Sequence, residues 1–239
     1  MFHPQGPTFC ELAHQALSST ERGYDLLAPK FDYTPFRTPD SLLEFVAPRI
    51  GMPKSIDAGL DLCCGTGAGM KMLQPLCRER VVGVDFSQGM LRVARNTLAD
   101  VAAEPKLEFI HGDVLELPFR NEFDIAVCFG ALGHILPRDE SRFTQQIKQA
   151  LRPGGRFVFI TASRPSRLSL VYWLARGFNA AMYVRNTFVK PPFIMYYLTF
   201  LLPAAAKLLE EHGFRAIVHE NVFPKPFHQA CVVVATREA

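Results

Sequence analysis

The chain has 239 residues, 49% hydrophobic and 21% charged, which excludes a disordered chain and fits one large domain or one domain with an insertion. Its net charge is +3 and its basic residues are scattered, which argues against a dedicated nucleic-acid surface. Six cysteines form no CxxC pair, so no zinc site is expected and several should be buried free thiols in a reducing compartment.

The N-terminus, MFHPQGPTFCELAHQ, lacks the basic and apolar regions of a signal peptide, so the expected location is the cytoplasm. Ser19 or Thr20 is placed to cap a short helix carrying Tyr24, Leu26 and Leu27. The segment YDLLAPKFDYTPF then brings Tyr24, Phe31, Tyr33 and Phe36 together in sequence. Pro39 and Asp40 open a helix that ends near Pro48.

From here strands and helices alternate. A strand runs to Leu62, and LDLCCGTGAG follows its end. Gly65, Thr66 and Gly67 make a sharp turn, and a helix is expected from Ala68 to about Cys77. Such a turn aims free backbone N–H groups at a ligand, and glycine lets the backbone approach closely. Arg80–Phe86 reads as the second strand, and Ser87 caps a helix from Gln88 to about Ala99. Lys106–His111 and Phe123–Phe129 read as the third and fourth strands. Residues 139–151 read as a helix, RPGG as a turn, and Arg156–Thr161 as the fifth strand.

Alternation of this kind implies a parallel sheet with right-handed crossovers. The tail differs. Phe214–Val222 and Gln229–Thr236 are joined without a helix and predict a β-hairpin at the sheet edge. Roughly 50 residues lie between the fifth strand and this hairpin, where a crossover needs roughly a dozen or two. A helix from Ala204 to His212, ended by Gly213, accounts for part of them. The rest is an aromatic-rich insertion with the sole tryptophan, Trp173. Arg176, Arg185, Lys190 and several prolines interrupt it, so it does not read as a transmembrane span.

The turn is a poor match to the dinucleotide pattern: from Gly65 the sixth position is Met70, and from Cys63 the first is not glycine. The acids after it point elsewhere. Asp85 closes the second strand, where a carboxylate can accept both hydroxyls of a ribose. Gly112-Asp113-Val114 follows the third strand, where an acid and backbone can read an adenine amino group.

With these residues in place the chain resembles class I S-adenosylmethionine-dependent methyltransferases. LDLCCGTGAG is similar to the family's glycine-rich motif, VVGVDFS to its acidic ribose motif, HGDVLELPF to its adenine motif and LRPGGRFVFI to the motif before the fifth strand. The resemblance covers nearly all of the chain after residue 20. Within the superfamily it is nearest to the ubiquinone/menaquinone C-methyltransferase type, on the CCGTG turn, the YDLLAPKFDY segment and the aromatic insertion. It implies a single α/β domain: a Rossmann-like, seven-stranded, mostly parallel sheet with an antiparallel last strand and an inserted α-helical cap. Residues 1–50 would be an N-terminal helical lid segment, 51–162 the cofactor-binding core, 163–203 the cap, and 204–239 the last helix and hairpin. The family turn usually has glycine where Cys63 stands, and a cysteine there is expected at negative φ.

The resemblance implies S-adenosyl-L-methionine as cofactor. Asp61 would face its amino end and Asp85 its ribose. Gly65, Thr66, Gly67 and Cys63 would form the turn beneath it. Phe86 and Met90 would flank the adenine, with Gly112, Asp113 and Val114 reading its edge. Phe129 and Gly130 would line the methionyl end. Tyr24 and Tyr33 either close over the cofactor or pack the N-terminal helix on the sheet. His134, just after the fourth strand, is the candidate to take a proton from the acceptor; otherwise it packs before Pro137. Trp173, Phe178, Met182, Phe193, Tyr196 and Tyr197 would wall a pocket for a greasy or flat acceptor, or form the core of the cap.

The expected activity is methyl transfer to a small hydrophobic or aromatic, quinol-like acceptor by in-line displacement. A nicotinamide-dependent oxidoreductase and an inactive cofactor-binding protein are the alternatives. The expected partners are a small-molecule acceptor and no nucleic acid, in a monomer or homodimer. The arginines of the insertion are compatible with peripheral membrane contact.

Overall fold

The computed structural model describes residues 3–99 and 104–238. Seven strands form one sheet: β1 (Ile56–Leu62), β2 (Cys77–Asp85), β3 (Lys106–His111), β4 (Phe123–Cys128), β5 (Leu151–Ala162), β6 (Phe214–His219) and β7 (Ala230–Arg237). Their order across the sheet is β3-β2-β1-β4-β5-β7-β6. The first five pair in parallel, and β7 runs antiparallel between β5 and β6. The expected hairpin is present, with its second strand on the inside.

The helices are α1 (Phe9–Leu17), α2 (Thr20–Leu27), α3 (Asp40–Ile50), α4 (Ala68–Leu73), α5 (Gln88–Thr97), α6 (Glu140–Ala150), α7 (Leu170–Phe188) and α8 (Ala204–Glu211). Strand side chains alternate between the faces of the sheet, so two cores form. Leu60, Leu62, Val84, Cys128 and Phe159 pack with Phe143 and Ile147 of α6 and Leu209 of α8. Ile125, Val127 and Val158 pack with Val46 and Ile50 of α3, Leu73 of α4 and Leu91 of α5. Thus α3 belongs to the core of the sheet, although it lies in the segment expected as a lid.

Element boundaries differ most from expectation around α4 and β5, and β6 stops at His219 rather than Val222. Helix α4 stops at Leu73 and β2 already begins at Cys77. Pro75 accounts for the stop: Gln74 before it still has helical angles (φ −51°, ψ −50°), but the proline has no N–H to continue the ladder. The RPGG segment lies inside β5 as an irregularity of the ladder: Phe123 pairs with Leu151, then Ile125 with Arg156, and Gly154 takes φ +79°.

The insertion is one long helix followed by an irregular return. No residue of α7 is buried. The return segment is what packs inward: Phe193, Tyr196 and Phe200 are buried.

Candidate active site

The carboxyl ends of β1, β2 and β4 open onto a cavity of about 280 Å³, close to the lower bound of small-molecule sites (about 300 Å³). Parallel strands that part company there leave a crevice, which is where ligands of such sheets bind.

Its floor is the turn after β1. Gly65 and Gly67 take φ +53° and +92°, in the left-handed region open to glycine. Gly67 is the N-cap of α4, and a Cβ on it would meet Leu98 at 3.0 Å. Cys63 takes φ +53°, contrary to the negative φ expected for a non-glycine residue. The turn geometry is retained although the glycine is not, so the strain is carried by the cysteine. Its free thiol is hydrogen-bonded with that of Cys128, and this contact together with burial raises its pKa.

Two buried acids stand at strand ends. Asp85 accepts from Gly65 N–H and from Ser87 N–H, both at 2.8 Å. Each carboxylate oxygen has a second lone pair, so both can still accept from a ligand. Burial raises the Asp85 pKa to about 6 against the pull of these two N–H groups. Asp61 is only 2% exposed, and its Oδ2 has no hydrogen-bond partner. Burial pushes its pKa to about 8, opposed by a backbone bond to Met70. A Cβ on Gly69 would come within 2.5 Å of that Oδ2, so the glycine is what leaves the acid room.

The N-terminal segment forms the roof and is tied to the floor by two acids. Asp25 of α2 accepts from Ser87 Oγ (2.6 Å) and Gly89 N–H (2.8 Å) at the start of α5. Asp32 accepts from Thr66 Oγ1 at 2.6 Å. These fixings place Tyr24 and Phe31 over the cavity, with their rings edge to face at 6.1 Å. At the far wall His134 accepts at Nε2 from the Tyr24 hydroxyl (2.7 Å) and donates from Nδ1 to the Ile194 carbonyl (2.5 Å). A carbonyl can only accept, which sets this tautomer. Burial lowers the His134 pKa and raises that of Tyr24.

Of the residues singled out from sequence, Tyr24, Asp61, Cys63, Gly65, Thr66, Asp85, Phe86, Met90, Phe129, Gly130, His134 and Tyr197 line this cavity. Met90 is also fully buried core. Gly112, Asp113 and Val114 do not line it. Asp113 is exposed and accepts from Leu115 N–H within its own loop (2.8 Å), and Val114 is core. Tyr33 points away and stacks on His3 at 4.9 Å.

Among the insertion aromatics, Phe193 stacks on Tyr24 at 6.2 Å, Tyr196 packs on Tyr183, and Phe178 packs on Tyr197. Trp173 is 61% exposed and, like Met182, is not a wall residue. Sequence reasoning missed Arg37, Thr38, Cys64, Gly69 and Ala131 as lining residues. It also missed the anchors Asp25 and Asp32, although both sit in the YDLLAPKFDY segment that it had marked.

Residues 60–155 match the family model described as a methyltransferase domain. The chain is 29% identical over 157 residues to demethylmenaquinone methyltransferase from Oceanobacillus iheyensis, covering 64% of this chain and 56% of that protein. It is 33% identical over 141 residues to 2-phytyl-1,4-naphtoquinone methyltransferase from Nostoc punctiforme, covering 58% of this chain and 57% of that protein. The chain thus spans about half the length of the curated relatives it matches. A solved structure of DhpI with SAH shares the fold, with a TM-score of 0.66 and 19% identity over 97% of this chain and 99% of that one. Residues 60–155 are thus similar to a methyltransferase domain, and the glycine turn, the strand-end acids and the sheet order agree with the class I S-adenosylmethionine-dependent type.

Proposed function

We propose that the protein transfers a methyl group from S-adenosylmethionine to a small aromatic, quinol-like acceptor. The observation that carries this reading is one cavity lined both by Asp61, whose buried Oδ2 has no partner, and by the hydrogen-bonded Tyr24–His134 pair.

The residues fit the cofactor. Asp61 Oδ2 is an orphaned acceptor suited to an ammonium, Asp85 retains lone pairs for the ribose hydroxyls, and the glycines keep the floor open. When bound, S-adenosylmethionine supplies a methyl on a positive sulfur, an electrophile that already carries a good leaving group. The chain has to bind the acceptor, keep water out and dispose of a proton. Phe31, Phe129, Met195 and Tyr197 make the cavity apolar enough for a flat ring.

Both residues line the cavity, and the Tyr24 hydroxyl occupies the acceptor nitrogen of His134. As an acceptor hydroxyl gives its proton to the Tyr24 oxygen, the Tyr24 proton moves to His134 Nε2, and Nδ1–H stays bonded to the Ile194 carbonyl. His134 therefore acts through Tyr24. Two relatives named for naphthoquinone-type substrates support an acceptor of that class.

The test is turnover with labelled S-adenosylmethionine against a series of reduced and oxidised naphthoquinones and benzoquinones, with products identified by mass spectrometry. Methylation of the reduced members is expected. Tight cofactor binding without methylation of any member of the series would leave the binding-protein alternative standing.

A further inference from the structure

Helix α7 is amphipathic in the inverted sense. Its inward side, which also carries the half-buried Phe178 and Met182, holds its amides: Asn179 donates to the Tyr197 carbonyl and accepts from Tyr197 N–H, both at 2.8 Å. Two turns on, Asn186 makes the same pair with Phe193, at 3.0 and 2.9 Å. The apolar side faces out. Leu170, Leu174, Ala181, Val184 and Phe188 recur at helical spacing along one exposed stripe, with Trp173 beside it. Leu174 is 64% exposed and Phe188 82%. Scattered exposed apolar residues are ordinary, but a continuous stripe marks a surface that is covered in use.

Charge decides what covers it. No Asp or Glu occurs between Glu140 and Glu210. Arg164, Arg167, Arg176 and Lys190 flank the stripe, and all four are exposed. Among the described residues none of the four pairs with a carboxylate. A second copy of this chain would set cations against cations. An anionic bilayer offers the complement to both features: headgroups for the arginines and acyl chains for the stripe. Among the described residues no helix is long and apolar enough to cross a membrane.

We propose that α7 is an interfacial helix that docks the protein on anionic lipid, lying in the plane of the bilayer. The consequence for the site is direct. The two amide clamps tie α7 to Tyr197, a cavity wall residue, and to Phe193, which stacks on Tyr24. Docking therefore sets the wall through which an acceptor from the bilayer would enter. The docking itself does not depend on which acceptor is methylated.

The test is co-sedimentation of the full chain with phosphatidylglycerol-containing vesicles and with pure phosphatidylcholine vesicles. Binding to the anionic vesicles, weaker by roughly tenfold or more on the neutral ones and reduced by high salt, is expected. The double variant Leu174→Glu, Val184→Glu should lower the anionic partition by roughly tenfold or more while keeping its cofactor affinity and melting temperature. Arg167→Glu with Arg176→Glu should weaken it without touching the stripe. Absence of binding to either vesicle, equal binding by the parent and the Leu174→Glu, Val184→Glu variant, or a lipid-free dimer that this variant dissociates would overturn the proposal.

Discussion

The Tyr24 hydroxyl lies 2.7 Å from His134 Nε2, joining a helix at the start of the chain to the loop after β4, 110 residues away. The bond occupies the one free lone pair of a neutral imidazole whose other nitrogen donates to Ile194. His134 cannot accept directly from a bound acceptor while this bond holds. The roof over the cavity and the proton path out of it are therefore one construction.

Tyr24→Phe removes the relay but keeps the ring. Turnover is expected to fall by roughly 100-fold, within the range for loss of general acid–base assistance, with cofactor affinity within about threefold of the parent. His134→Ala should resemble it, and the double variant should be no worse than either single one, because the two act as a unit. Additive losses in the double variant would separate the two roles.

Asp61 ties cofactor binding to protons. Its pKa of about 8 leaves it largely neutral at pH 7 in the free protein. An ammonium brought to Oδ2 favours the carboxylate, so binding should release a proton, up to about one per site near pH 7. Calorimetry in two buffers of different ionisation enthalpy measures this, and Asp61→Asn should abolish it. For the free protein the sign follows from the raised value: between about pH 4 and 8 the native state holds the proton that the unfolded chain gives up. The contribution to stability is present below pH 4 and is lost as pH rises through 8.

Asp85→Ala should weaken cofactor binding by roughly 100-fold or more, from two lost hydrogen bonds to a charged acceptor. The variant also strands the buried N–H groups of Gly65 and Ser87, each costing about 1–3 kcal/mol. A lower melting temperature is expected alongside the affinity loss. Asp85→Asn should spare stability more than binding, and comparing the two variants separates the roles.

Cys63 is a test of the turn itself. Cys63→Gly relieves a left-handed residue of strain worth roughly 1–2 kcal/mol, offset by lost packing and by the entropy of glycine. Its melting temperature and cofactor affinity should stay close to those of the parent. Cys63→Val places a β-branched side chain at φ +53°, a true outlier, and should melt well below the parent.

Asp25→Ala should loosen the roof. Loss of the bonds to Ser87 and Gly89 is expected to raise amide exchange over residues 20–33 and to raise KM for the cofactor, with the sheet amides unchanged.

Much of this molecule is local and therefore legible in its amino-acid order. Strand and helix alternation shows in the apolar runs of β1, β2 and β4. The floor shows in Gly65 and Gly67, since a sharp turn after a strand needs residues that accept positive φ. Asp61 and Asp85 show through the resemblance, whose motifs place an acid within the first strand and another at the end of the second. Contacts between distant segments leave no such trace. Nothing near Asp25, Asp32 or Tyr24 in sequence marks Ser87, Thr66 or His134 as a partner. Periodicity shows that α7 has two faces, but not which one has a neighbour. The tertiary structure turned the asparagines inward and left the apolar stripe in the open, because the amides had backbone groups of the return segment to satisfy and the stripe had no core to join.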